Sequence, residues 1–307
     1  MFNLVEKRRW YFLISGLVIL VGVAAMVYSV VTLDTHTPFP LSVDFQSGTR
    51  FVLHFETPIT EGEIRDVFAG FNVTNPSVTR LGQESENTWQ IRSEFMPVDD
   101  AQAVKGTLAA MTPIDDNKTE IDSVSPTVGA EVTRAASLAV FVAALAILVF
   151  IVVAFRQVPN AFRYGACAIA AMTHDILIAM GFMSIAGLLL GWEADSLFLT
   201  AMLTVIGFSV QDTIVVFDRI RENIPRRKNE SYEVVVNRSV LETLHRSLAT
   251  QLNAIFVMVA LLFFGGASIQ QFIAVMLVGM LSGTYSSIFT AVPLLVAWEK
   301  GELPLLG

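Results

Sequence analysis

The chain has 307 residues, of which 53% are hydrophobic and only 16% are charged, and its formal net charge is −8. A soluble domain of this size carries about a quarter charged residues, so the composition indicates a membrane protein. The sequence contains no basic patch of the kind that binds nucleic acid, and its single cysteine, Cys167, excludes a disulfide framework.

Six apolar stretches are long enough to cross a bilayer, because about 20 apolar residues span a hydrocarbon core of ~30 Å. The first stretch is too long for a signal peptide and lacks a convincing cleavage pattern, so we interpret it as an uncleaved anchor. The predicted transmembrane helices cover residues 10–32, 132–155, 162–190, 197–217, 248–264 and 272–298.

Lysine and arginine are concentrated in the segments that six alternating spans would place on one side. These segments precede the first span, join the second to the third, and follow the fourth. The opposite short loops, residues 191–195 and 265–270, are acidic and uncharged, respectively. Because basic residues mark cytoplasmic loops, we expect both termini to be cytoplasmic and residues 33–131 to be extracytoplasmic.

The segment at residues 33–131 has the pattern of a small α+β domain. Alternation at residues 50–56 predicts a half-buried strand with Phe51, Leu53 and Phe55 pointing inward. A capping-box pattern at residues 60–63 predicts a helix that ends at Gly70. Further elements are predicted as strands at 77–82, 88–95 and 118–124 and a helix at 99–111. This order of strands and helices is the ferredoxin-like motif.

The predicted organisation therefore has three parts. Residues 1–32 form a cytoplasmic segment and the first transmembrane helix, residues 33–131 the extracytoplasmic domain, and residues 132–307 a five-helix transmembrane domain. The last part includes a cytoplasmic segment at 218–247. Helical spacing at residues 231–248 predicts a helix that lies along the inner surface or leads straight into the fifth span.

Asp212 is a carboxylate inside the fourth predicted span. A charged side chain at the centre of a bilayer helix costs roughly 2.5–3.5 kcal/mol, so intramembrane acids usually face a protein interior or a water path. We predict a proton pathway through Asp212, with Arg246 at the start of the fifth span as its ion-pair partner. The alternatives are a hydrated Asp212 and an Arg246 that only anchors the cytoplasmic face.

Other polar and small residues accompany this acid. Ser209, Gln211 and Thr213 are its polar neighbours, and His174 and Asp175 lie near the middle of the third span. Adjacent helical residues point about 100° apart, so His174 and Asp175 are not expected to face one partner. His174 and Asp175 each have either a role in the proton pathway or a structural role. Small residues predict close helix packing at Gly207, Gly279, Gly283 and Ser287.

Signatures of common enzymes are absent from the sequence. It has no P-loop, no HExxH, no GxSxG and no context for a cysteine nucleophile, and no second histidine is placed to complete a metal site. We expect no enzyme, cofactor or metal, and an energy source that is an ion gradient or a partner.

Several motifs resemble the SecF family of bacterial protein-export membrane proteins. Residues 205–223 (VIGFSVQDTIVVFDRIREN) are similar to the family's GYSxNDTVVVFDRIREN signature, and residues 236–252 (VNRSVLETLHRSLATQL) to its NxxLxxTLxRTxxT pattern. Residues 43–49 (VDFQSGT) resemble the DFxGGT element. Two positions depart from the pattern: Ser47 replaces the first glycine of GG, and Gln211 stands where asparagine is usual.

The resemblance extends over nearly the full chain and implies an RND-type fold in the bacterial cytoplasmic (inner) membrane. It implies SecD, the Sec translocon channel, unfolded preproteins and membrane lipid as partners, and proton flow as the energy source. Asp212 matches the family's intramembrane acid and Arg246 its arginine. Two alternatives stay open: an RND-like proton-driven transporter of lipid or small molecules, and a scaffold in which Asp212 is structural.

Overall fold

The computed structural model describes residues 4–33, 35–73, 76–81, 87–156 and 160–302. Within these ranges, six helices are long and apolar enough to cross a membrane. The chain divides into two compact units. The transmembrane unit comprises Met1–Phe39, Ala139–Ile185 and Leu197–Gly307, and the α+β unit comprises Pro40–Leu138 and Ala186–Ser196.

In chain order the helices and strands are α1 (Arg8–Thr32), α2 (Val43–Gln46), β1 (Gly48–His54), α3 (Glu61–Gly70), β2 (Ser77–Leu81), β3 (Thr88–Ser93), α4 (Val98–Met111), β4 (Glu120–Val124), α5 (Pro126–Phe155), α6 (Ala161–Leu190), α7 (Ser196–Arg226), α8 (Tyr232–Phe264), α9 (Ala267–Ser286) and α10 (Val292–Glu299).

The α+β unit contains an antiparallel sheet with strand order β2-β3-β1-β4. With α3 and α4 between the strands, this order confirms the predicted ferredoxin-like domain. Phe51, Leu53 and Phe55 are all buried, as their alternation predicts, and the ring of Phe51 meets that of Phe68 edge-on at 5.2 Å. Thr60 and Glu63 form the predicted capping box. Residues 82–86, which end the predicted strand 77–82 and lead toward the next predicted strand, are outside the described residues.

Residues 47 and 48 correspond to the GG pair of the DFxGGT element. They keep a tight backbone although Ser47 replaces the first glycine. Ser47 has φ 60° and ψ 169°, and Gly48 has φ 119°. A Cβ on Gly48 would lie 2.6 Å from the carbonyl oxygen of Ser93, so only glycine fits there. The substitution at Ser47 is therefore accommodated as local backbone strain.

A short segment beyond α6 folds with the sheet domain. The N–H of Ser42 donates to the carbonyl of Ala194 at 2.8 Å, and the N–H of Ala194 donates to the carbonyl of Pro40 at 2.8 Å. The Glu193 side chain is buried in the same unit, where Gln90 donates to its Oε1 at 2.5 Å. These contacts explain why Ala186–Ser196 belongs to the α+β unit.

The helices of the transmembrane unit differ in extent from the predicted spans. Helix α8 is continuous from Tyr232, so the predicted amphipathic stretch leads straight into the fifth span. A π-helical turn at Ser287–Ala291 separates α9 from α10. Pro293 has no N–H for the carbonyl of Phe289 and its ring crowds that carbonyl, and the wider turn relieves this conflict.

Small residues bring these helices together. The glycines of α1 and α6 are in close contact, since a Cβ on Gly181 would lie 2.7 Å from Cα of Gly22. A Cβ on Gly279 would lie 2.2 Å from a methyl group of Val205, so α9 packs closely on α7 at this point. The expectation for Gly207 is corrected: it is exposed, a Cβ there would meet no atom within 4 Å among the described residues, and α7 continues through it.

Candidate functional site

Asp175 lies in α6 and is fully buried. Its Oδ2 accepts hydrogen bonds from the hydroxyls of Ser209 on α7 at 2.5 Å and Ser286 on α9 at 2.6 Å. Its Oδ1 accepts one from Ser282 at 2.6 Å and lies 3.0 Å from Nδ1 of His174. A buried carboxylate is tolerated only when it is well hydrogen-bonded, and these four contacts supply that stabilisation.

The sequence of α9 explains how two hydroxyls reach one carboxylate. Ser282 and Ser286 are four residues apart, so they lie on one face of the helix. Gly283 lies between them, and a Cβ there would be 3.5 Å from Cα of Ser209 and 3.6 Å from Oδ2 of Asp175. The missing side chain therefore lets α9 approach both α6 and α7.

Asp212 lies on α7 one helical turn beyond Ser209 and is also buried, with 7% of its surface exposed. Its Oδ2 accepts a hydrogen bond of 2.5 Å from Nε2 of Gln251 on α8. Gln251 is itself buried, and its Oε1 has no partner among the residues that the structure describes. Ser209 binds Asp175 and precedes Asp212 by one turn, so it connects the surroundings of the two acids.

Gln251 occupies the place that the sequence assigned to Arg246. Arg246 is exposed and forms no ion pair with any described residue, so the expected Asp212–Arg246 pair is absent from this conformation. The reason is rotation about the axis of α8. Thr243, Ser247 and Gln251 follow one another at four-residue spacing on its buried face, and Arg246 is turned away from Gln251 by about 140°. That polar spacing was the signal that could have identified Gln251.

The remaining expected residues are distributed around this site. Ser209 binds Asp175 and not Asp212, while the hydroxyl of Thr213 donates to the carbonyl of Ser209 at 3.0 Å. Gln211 is exposed. Ser287 is buried in the π-helical turn, where its hydroxyl donates to the carbonyl of Thr284. Ser282 and Ser286 of α9 bind the acid of α6.

The two acids differ in what protonation requires. A carboxylate has about four lone-pair sites and no donor until it is protonated. At Asp212 the hydrogen bond from Gln251 occupies one oxygen, so a proton can bind the other oxygen without breaking it. At Asp175 both oxygens accept two contacts each, so protonation displaces a donor. No group of three His, Cys, Asp or Glu side chains suited to a metal occurs among the described residues.

Comparison with known proteins gives consistent results. The family model "Protein export membrane protein SecD/SecF, C-terminal" matches residues 103–301, and "SecD/SecF GG Motif" matches residues 35–59. Protein translocase subunit SecF of Anaerolinea thermophila is 43% identical, over 98% of this chain and 96% of its own.

Two longer proteins also match. Protein translocase subunit SecDF of Bacillus subtilis is 32% identical, over 97% of this chain and 38% of its own length. The crystal structure of SecDF from Thermus thermophilus, described as a translocon-associated membrane protein, superposes with a TM-score of 0.78 at 28% identity. That match covers 97% of this chain and 39% of the solved chain, so the chain spans about two fifths of its length.

Proposed function

This chain belongs to the SecF family of protein translocase subunits, and we propose that it couples proton movement to protein export through Asp212. As a SecF protein it is a multi-pass membrane subunit of the Sec protein export machinery and a transport component rather than an enzyme. The coupling to proton movement is the part that we propose, and it rests on the chemistry of the buried acids.

The observation that carries the proposal is the contact between Asp212 and Gln251. A carboxylate in a membrane-spanning helix is costly and marks an ion path by default. The neutral amide of Gln251 stabilises Asp212 in either protonation state, because it leaves one carboxylate oxygen open. In a second conformation Arg246 replaces Gln251 as the partner, and its charge then expels the proton from Asp212.

Association with SecD is implied by relatives in which the two subunits form one chain. The Bacillus subtilis and Thermus thermophilus proteins are both SecDF, and this chain matches about two fifths of each. We propose that SecD supplies the remaining part, that the pair acts beside the translocon channel, and that it moves or releases unfolded preproteins. The positive-inside distribution supports cytoplasmic termini and a sheet domain on the outer side of the inner membrane.

The test is Asp212→Asn in cells that depend on this chain and carry its SecD. Asparagine preserves size and hydrogen bonding but cannot carry a proton. We expect normal assembly with SecD, and export of a secretory precursor reduced to the level that wild-type cells show with a proton uncoupler. Asp218→Asn is the matched control, because Asp218 lies on the same helix in an exposed ion pair with Arg221.

Two results would contradict the proposal. Full gradient-dependent export by the Asp212→Asn variant would make Asp212 a structural residue. Export that follows a sodium gradient and persists with a proton uncoupler would replace the proton with sodium as the coupling ion.

A further inference from the structure

A cleft of about 270 Å³ lies between α1, α6 and α9 in the transmembrane unit. Its lining is almost entirely apolar surface, and its polar residues include Ser15, His174 and Tyr285. His174 is the same residue whose Nδ1 contacts Asp175, so one ring connects the cleft with the buried acid.

Two buried polar atoms at this cleft lack partners among the described residues. They are Nε2 of His174, whose residue is 5% exposed, and Oγ of Ser15, whose residue is 6% exposed. A buried polar atom without a partner costs about 1–3 kcal/mol. Water that reaches these two atoms through the cleft can recover this free energy by hydrogen bonding to them.

The imidazole of His174 is held in a defined orientation. Its ring stacks on Tyr285 with centroids 6.1 Å apart and planes 17° apart, and the hydroxyl of Tyr285 donates to the carbonyl of Tyr11 at 3.1 Å. Because a carboxylate only accepts hydrogen bonds, Nδ1 carries the proton that faces Asp175. Nε2 is then an acceptor on the other edge of the ring, where a water molecule in the cleft can donate to it.

We propose that this cleft holds water and that His174 relays protons between that water and Asp175. The relay rests on the proposed proton coupling and adds a second route to the buried acids. A hydronium ion in the cleft donates a proton to Nε2 and becomes water, the N–H bond at Nδ1 breaks, and that second proton binds Oδ1 of Asp175. The ring begins and ends neutral, and the reverse sequence returns the proton to the cleft.

Hydration of the cleft can be measured without an export assay. In a Cys167→Ala background, we expect Ser15→Cys to react with a charged, water-soluble methanethiosulfonate, because the thiolate that reacts forms only where water is present. Leu17→Cys, an exposed α1 position, is the control and should react only with an apolar maleimide. If Ser15→Cys also reacts only with the apolar reagent, lipid fills the cleft and the proposal is overturned.

The relay itself is tested by chemical rescue. We expect His174→Gly to lose gradient-dependent export and added imidazole to restore part of it, since imidazole can occupy the cleft and has two ring nitrogens. N-methylimidazole, with only one nitrogen free to exchange a proton, should not restore it. Full export by His174→Gly, or equal rescue by both compounds, overturns the relay. Full gradient-dependent export by Asp212→Asn would instead remove the proposed coupling, while the cysteine reactivity still reports whether the cleft is hydrated.

Discussion

At the scale of single residues, Ser47 shows how this chain departs from its family without losing the local structure. Its φ of 60° and ψ of 169° fall in a region that is almost restricted to glycine. The next residue, Gly48, cannot change because the carbonyl of Ser93 lies against it. The strain at Ser47 is thus stored in one residue and held in place by its neighbours.

Replacing Ser47 with glycine should stabilise the α+β unit by about 1 kcal/mol. This value is the strain of roughly 1–3 kcal/mol less the roughly 0.5–1 kcal/mol that glycine loses in conformational entropy. Hydrogen exchange of the full chain in detergent would measure it as slower opening of β1 and β3. Ser77→Gly, at an exposed position of strand β2, should act in the opposite direction. Faster exchange in Ser47→Gly would show that the backbone is unstrained.

Glu193 gives the α+β unit a pH dependence. Burial raises the pKa of its carboxyl above the ordinary 4.5, although the Arg92 guanidinium at 3.4 Å and the bond from Gln90 oppose the shift. A carboxyl with a raised pKa in the folded state favours folding when protonated. That contribution is complete below about pH 4.5 and is lost as the pH rises through the higher folded-state value.

Thermal unfolding of the wild type and Glu193→Gln across pH 4 to 7.5 would detect this dependence. We expect the variant to gain stability relative to the wild type as the pH rises, because glutamine cannot ionise. Glu94→Gln, at an exposed position of the same unit, should follow the wild type. Parallel curves for Glu193→Gln and the wild type would mean that ionisation of Glu193 costs the fold nothing.

At the scale of helices and strands, the glycines of α7 and α9 have unequal roles. Gly279→Ala places a methyl group against Val205 and should destabilise the transmembrane unit by about 1–3 kcal/mol, as overpacking does. Gly207→Ala should be neutral or stabilising by up to about 1 kcal/mol, because it improves helix propensity in open space. Thermal unfolding in detergent would compare them, and equal losses would contradict the packing of α9 on α7.

Local sequence patterns predicted the helices and strands well. Which side chains meet between the helices, in contrast, depends on tertiary packing. Alternation alone identified Phe51, Leu53 and Phe55 as core residues, because a strand has two faces and one is buried. Charge suggested Arg246 as the partner of Asp212, but the rotation of α8 brings Gln251 there. The hydroxyls around Asp175 were harder to assign, since Ser282 and Ser286 reach it through the close approach of α9.

At the scale of the whole molecule, the orientation in the membrane is the prediction with the widest consequences. A cysteine at Asn117, an exposed position after α4, should react with an impermeant maleimide in intact cells, and one at Asn229 should not. Ser85 is an equivalent outer position by sequence, although it lies outside the described residues. Cells opened before labelling provide the control, since both cysteines should then react. If only Asn229→Cys were labelled in intact cells, the orientation in the membrane would be the reverse of the predicted one.

The segment Ala186–Ser196 also bears on how this chain can be divided and recombined. It joins α6 to α7, yet its backbone at Ala194 bonds to Pro40 and Ser42 at the start of the sheet domain. A chimaera that exchanged only residues 33–131 with a relative would separate Ala194 and Glu193 from Pro40, Ser42 and Gln90, the residues that they contact in this chain. The sheet domain therefore cannot be exchanged as one continuous piece of sequence. A functional exchange must carry two separate pieces, and one of them lies between the helices that hold Asp175 and Asp212.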